Sequence, residues 1–147
     1  MILLHEYYFA MTVAANKSLQ LILLPNRTDL LRGGVCLDGT PPAVYFAPAT
    51  NASAATRWVI YFKGGGWCIS LEDCLSRSVG LIGTTKNLAL QQPTFGYGGG
   101  GPLGTDLAEN PRFANANRVM LWYCDGGSFS GMRDDPVPVP AEETQLL

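Results

Sequence analysis

Four short apolar runs punctuate this chain. Leu19 to Leu24 is closed by Pro25-Asn26, and Ala43 to Phe46 sits between Gly39-Thr40-Pro41-Pro42 and Pro48; both read as short strands bounded by turns. Trp58 to Phe62 is β-branched and aromatic without polar alternation, the pattern of a strand buried on both faces of a parallel sheet. Arg118 to Cys124 has the same character. Both of these runs lead into glycine-containing loops, so polar and flexible residues collect at their carboxyl ends, where open α/β sheets bind ligands.

Between them, Ser70-Leu71-Glu72-Asp73 has the form of a helix start, with Ser70 as N-cap and Asp73 three residues on, facing the positive end of the helix dipole. A crossover helix is the natural reading. A second helix is expected from Thr84 or Thr85 to about Gln91. Gly96 to Gly104 then holds six glycines, a density no regular element tolerates. It reads as a flexible insertion, since a phosphate cradle would carry the P-loop lysine that is missing here. The expected fold class is α/β with a mostly parallel sheet.

Composition narrows the class further. A chain of 147 residues with 47% apolar and 15% charged residues is long enough for one domain with a core and is unlike a disordered segment. A formal charge of −2 gives no basis for a nucleic-acid partner. The four cysteines, Cys36, Cys68, Cys74 and Cys124, form an even set with no C-x-x-C pair, so disulfides fit better than a zinc or redox site, and no metal or cofactor is expected. Sequons at Asn16, Asn26 and Asn51 also lean toward an oxidising, secretory compartment. Residues 1 to 18 form a leader-like segment that is weak as a signal peptide: Val13-Ala14-Ala15 suits cleavage, but His5 and Glu6 interrupt it and no Lys or Arg precedes them. It is too short to span a bilayer and no later stretch does better, so membrane embedding is not expected.

The chemistry concentrates after the third run, where Lys63 precedes Gly64-Gly65-Gly66-Trp67-Cys68. Glycines ending a central strand can turn sharply and leave N–H groups aimed at one point, the makings of an oxyanion hole. The alternative is a tight strand-to-helix turn that holds no ligand. Trp67 is either one wall of an acyl or sugar pocket or simply packing. Gly126-Gly127-Ser128-Phe129-Ser130-Gly131 fits G-x-S-x-G around neither serine, so it is read as a turn at the mouth of the cleft, with Asp125 and Ser128 placed to bond backbone or substrate. A serine nucleophile needs a histidine base, and the single histidine, His5, lies in the leader-like segment. Asp134 and Asp135, before a Pro-Val-Pro-Val-Pro run, read as surface charges rather than a catalytic pair.

Taken together, Gly34-Val35-Cys36-Leu37-Asp38-Gly39-Thr40-Pro41-Pro42, the Trp58–Phe62 run with Gly64-Gly65-Gly66-Trp67-Cys68, Cys74, and Tyr123-Cys124-Asp125-Gly126-Gly127-Ser128-Phe129-Ser130-Gly131 resemble the amino-terminal part of the pectinacetylesterase family, which includes the Notum carboxylesterases. The resemblance covers roughly residues 19 to 132. It implies an α/β-hydrolase-like fold, secretion, and ester hydrolysis by a serine nucleophile, on acetylated pectin in plant-like members and on a fatty-acylated signalling protein in Notum-like ones. Carried over position by position, it makes Gly65 and Gly66 the oxyanion-hole donors, with Gly64 and Trp67 beside the substrate. It also implies the disulfides Cys68–Cys74 and Cys36–Cys124. The family's nucleophile string and its later Asp and His have no match, so residues 19 to 147 are expected to be a portion ending before the nucleophile, inactive alone and with an exposed sheet edge at 58 to 62. Lys63, where the family usually shows Glu or another residue, and the glycine insertion at 96 to 104 depart from the pattern. A reading from another class is a non-catalytic secreted module that binds carbohydrate or acyl groups through Trp58, Trp67, Trp122 and neighbouring tyrosines.

Overall fold

A computed structural model describes residues 18–24, 34–92, 101–130, 135 and 137–140. His5, Asn16, Asn26, Asp134 and most of the 96–104 glycine run lie outside them.

Among the described residues five strands form one sheet: β1 (Leu19–Leu23), β2 (Ala43–Ala47), β3 (Trp58–Phe62), β4 (Gln91–Gln92) and β5 (Asn117–Leu121), in the order β3-β5-β2-β1-β4. The helix α1 (Leu71–Ser78) follows β3, and a short 3₁₀ turn at Ala52–Ala54 is capped by the Asn51 carboxamide. Only β3 and β5 run parallel; β5 with β2, β2 with β1 and β1 with β4 are antiparallel. The sheet is therefore mixed rather than mostly parallel. An unbroken apolar run reports what a strand can bury and carries no information on direction, which the connections decide: the crossover through α1 makes β3 and β5 parallel.

Register sorts the side chains onto two faces. Tyr45, Met120 and Tyr61 line up across β2, β5 and β3 on one face, with Leu21 beside them on β1. That face holds the core, where Leu19, Tyr45, Leu103 and Met120 are fully buried. Val44, Leu121 and Phe62 line up on the other face, as do Phe46, Val119 and Ile60. There Trp58, Ile60 and Phe62 are 53%, 58% and 57% exposed, so β3 is open on that face and half-buried on the other, against the expectation of burial on both. Among the described residues it is also an edge strand.

The helix expected from residue 84 or 85 does not form. Thr84 donates its hydroxyl to Asp38 at 2.7 Å, Thr85 donates to the Pro41 carbonyl at 2.8 Å and takes the Thr40 hydroxyl as acceptor for its N–H at 3.1 Å, and Asn87 has φ of +61°. Hydroxyls bonded to distant partners and a left-handed residue are incompatible with a helical turn, and the stretch ends in β4 instead. Asp38 organises this junction. Burial alone would raise its carboxyl, but hydrogen bonds from the Thr40 and Thr84 side chains, the Thr40 N–H and Lys86 bring it down to about 2.

Both disulfides form. Cys36–Cys124 joins the segment before β2 to the end of β5, and Cys68–Cys74 joins the loop after β3 to α1.

Candidate active site

The ladder between β3 and β5 closes with the Lys63 N–H on the Leu121 carbonyl, 3.1 Å away, and the chain then leaves the sheet as Gly64-Gly65-Gly66-Trp67. Among the described residues the N–H groups of these four have no acceptor. Two of their carbonyls, by contrast, are held. Arg77 Nη1 of α1 donates to the Gly65 carbonyl at 2.8 Å, and the Tyr123 hydroxyl donates to the Gly66 carbonyl. In a trans peptide the C=O and the following N–H point in opposite directions, and this chain has no cis bond among its described residues. Holding the Gly65 oxygen therefore fixes the direction of the Gly66 N–H, and holding the Gly66 oxygen fixes that of Trp67. Gly64 has no such hold on its own carbonyl, so the Gly65 N–H is the less constrained donor.

Two of the three glycines are required, for different reasons. A Cβ on Gly65 would lie 2.0 Å from Tyr123 Cδ1, so the phenol ring packs directly on that backbone. Gly66 has φ of +73°, a conformation that costs other residues about 1–2 kcal/mol. Gly64 meets nothing within 4 Å and has an ordinary φ, so any small residue would serve there.

Arg77 is itself fixed by Asp73, one turn earlier on α1, whose Oδ1 accepts from Arg77 Nε at 2.8 Å. The other carboxylate oxygen of Asp73 accepts the Ile69 N–H at 3.1 Å, and Ser70 caps the helix by accepting the Asp73 N–H. The hydrogen bond from Arg77, then that from Ile69, lowers the Asp73 carboxyl below its usual range. Tyr123 is buried, and burial, with the nearby Asp125 charge, raises its hydroxyl against opposing effects of the Ser128 backbone and Arg77; it stays a proton donor.

The second glycine loop packs on the first. Trp67 bridges Gly127, and the Cys68 N–H donates to the Gly126 carbonyl at 3.0 Å. Asp125 Oδ2 accepts the Phe129 N–H at 2.8 Å, while its Oδ1 is buried with no partner among the described residues. Ser128 and Phe129 both have positive φ, +54° and +62°, an uncommon conformation for a side chain as large as Phe129. Phe129 stands edge-on to Phe62 and Tyr123, with ring centroids 5.4 and 5.5 Å away.

Gly64, Gly65, Gly66, Trp67, Asp125 and Ser128 are thus gathered at the carboxyl ends of β3 and β5, where Ser128 and Trp67 are exposed. Sequence reasoning missed Arg77, Tyr123 and Phe129. Arg77 had a visible signal, its spacing of four residues from Asp73, whereas the other two are recognisable only once the loops are folded. Lys63 lies with Nζ 4.5 Å above the Trp122 ring, and burial lowers its pKa. Trp122 is buried in the core, while Trp58 stacks on Phe46 across the open face, so the three tryptophans do not form one binding surface. No histidine is among the described residues, and no group of three or more His, Cys, Asp or Glu there could hold a metal. Nor is any described helix long and apolar enough to cross a membrane.

The pectinacetylesterase family model matches residues 12–146. The chain belongs to the pectinacetylesterase family. Pectin acetylesterase 11 of Arabidopsis thaliana is 39% identical over 100 residues, which make up 68% of this chain and 24% of that protein. The chain therefore spans about a quarter of the length of the pectin acetylesterases it matches. The inactive palmitoleoyl-protein carboxylesterase notum1b of Danio rerio is 34% identical over 98 residues, covering 65% of each chain. Among solved structures, the Wnt deacylase Notum from Drosophila superposes with a TM-score of 0.66 at 27% identity, over 86% of this chain and 33% of that one. The family and the structural likeness agree on an α/β-hydrolase-like architecture and an ester-hydrolase lineage.

Proposed function

We propose that this chain carries the oxyanion hole and part of the substrate wall of a secreted carboxylic ester hydrolase that removes acetyl groups from a cell-wall polysaccharide, the serine nucleophile and its histidine coming from sequence outside these 147 residues. The observation that carries the reading is the set of N–H groups after β3 that have no acceptor among the described residues, two of them held in fixed directions by bonds to the preceding carbonyls. Such preorganised donors stabilise charge that develops on a carbonyl oxygen, each at a level of about 3 kcal/mol. Gly66 and Trp67 are the donors with the firmest aim and Gly65 is a third. Gly64 serves only to let the loop leave the sheet, and Asp125 and Ser128 border the substrate from the facing loop. The exposed apolar edge at β3 supports a further strand pairing there in the longer enzyme. Secretion is favoured by two disulfides and by the Asn51 sequon, whose asparagine is exposed; glycans are proposed at Asn16, Asn26 and Asn51.

The test compares this chain with a longer product extending into a serine nucleophile, on an activated acetyl ester and on acetylated pectin. The longer protein should turn over both and react with a serine-directed phosphonate, and the 147-residue chain should do neither. Turnover by the short chain that the phosphonate abolishes would overturn the reading.

One observation favours a second reading. The notum1b relative, whose name states that it is inactive, is matched over most of its length, which supports a non-catalytic module that binds acyl or carbohydrate groups. A monomeric short chain that binds acetylated oligosaccharide without hydrolysis would support that reading instead.

A further inference from the structure

Two side chains from separate elements hold adjacent carbonyls of the same loop. Arg77, on α1, donates to the Gly65 oxygen at 2.8 Å, and Tyr123, just after β5, donates to the Gly66 oxygen. Neither side chain is free to wander: Arg77 Nε is bonded to Asp73 at 2.8 Å, and the Tyr123 ring is buried between the Gly65 backbone and Phe129. A glycine-rich loop has few side-chain contacts of its own to fix its peptide planes, and the conformational freedom of glycine works against any single orientation. We propose that Arg77 and Tyr123 are positioning residues, Arg77 aiming the Gly66 N–H and Tyr123 aiming the Trp67 N–H at the oxyanion. The proposal rests on the oxyanion-hole reading for its catalytic meaning but not for its geometric content. Because a trans peptide couples each carbonyl to the next amide, the two clamps act on different donors. That separation distinguishes aiming from general support of the fold, which would affect both amides and the core alike.

The geometric arm uses the 147-residue chain, labelled with ¹⁵N. Arg77→Lys and Arg77→Met should displace the Gly66 amide resonance and leave Trp67 in place, and Tyr123→Phe, which removes one oxygen and keeps the ring, should displace Trp67 and leave Gly66. Unmoved amides in all three variants would overturn the proposal, as would both amides moving together with core resonances such as Met120. The catalytic arm uses the longer enzyme. Arg77→Lys and Tyr123→Phe should each lower kcat by about 10- to 100-fold, short of the loss from deleting a donor, with KM little changed. In Arg77→Ala, added methylguanidinium should restore part of kcat, which it would not do for a misfolded protein. Selective amide shifts with unchanged kcat would leave the aiming in place and remove the oxyanion-hole reading. A lowered kcat with unmoved amides would do the reverse.

Discussion

Replacing Gly65 by alanine tests whether the loop is built around the Tyr123 ring. The new Cβ would lie 2.0 Å from Cδ1, 2.2 Å from Cε1 and 2.8 Å from Cγ of that ring, where ordinary contact begins near 3.4 Å. The ring or the loop must retreat by about 1.4 Å. Tyr123 is 1% exposed, so there is no solvent side for it to move into, and any retreat pulls its hydroxyl off the Gly66 carbonyl. Overpacking of a tight site costs about 1–3 kcal/mol, and loss of a buried hydrogen bond adds about 1 kcal/mol. The expected destabilisation is about 2–4 kcal/mol, which in a domain of this size lowers Tm by roughly 5–15 °C. Gly64→Ala, with open space around it, is the control and should change stability by less than about 0.5 kcal/mol. Urea unfolding followed by tryptophan fluorescence measures both. In a Tyr123→Ala background the Gly65→Ala cost should largely vanish, because the clashing atoms are gone. Equal, small effects of Gly64→Ala and Gly65→Ala, or a Gly65→Ala cost that persists without the ring, would refute the packing argument.

The carboxyl of Asp38 is held at about 2, below its unfolded value of 3.8, so its stabilising contribution is present above that unfolded value and is lost as pH falls toward 2. After allowance for solvent screening this amounts to about 1–2 kcal/mol; Asp38→Asn should remove it and flatten the unfolding free energy measured between pH 5 and pH 2, to a degree set by that group. Cys36–Cys124 closes 88 residues and Cys68–Cys74 closes 6, so by loop entropy opening the first with paired alanines should cost about 4–5 kcal/mol and the second about 2, as denaturant midpoints under non-reducing conditions would show. Ile60→Lys places a charge in the middle of the exposed β3 edge and should reduce concentration-dependent light scattering without lowering Tm; unchanged scattering would mean that this edge is not the sticky surface.

Much of the frame was legible because it depends on local signals. The strands at 19–23, 43–47 and 58–62 lie where proline and glycine punctuation bounds apolar runs, and Ser70 caps α1 through the Asp73 N–H as its residue type suggests. What failed was non-local. Thr84 and Thr85 look compatible with a helix until Asp38 and Pro41, more than forty residues away, take their hydroxyls. Strand direction could not be read from Trp58–Phe62, because apolar content does not encode the neighbour's sense. At the candidate site, glycine spacing marked the neighbourhood of the proposed donors. Which peptide planes are held depended on Arg77 and Tyr123, whose reach to the Gly65 and Gly66 carbonyl oxygens has no trace in local sequence.

On the oxyanion-hole reading, the place of the glycine loop at the end of an edge strand ties catalysis to assembly. The loop departs from β3 directly after the last ladder bond, on Leu121, and β3 has only β5 beside it among the described residues. A strand that docks parallel to β3 along its open side would deliver its own carboxyl end to these amides, so sealing the sheet and completing the reaction centre would be one event. On the oxyanion-hole reading, a nascent chain organised in this way would have no esterase activity until that strand is in place.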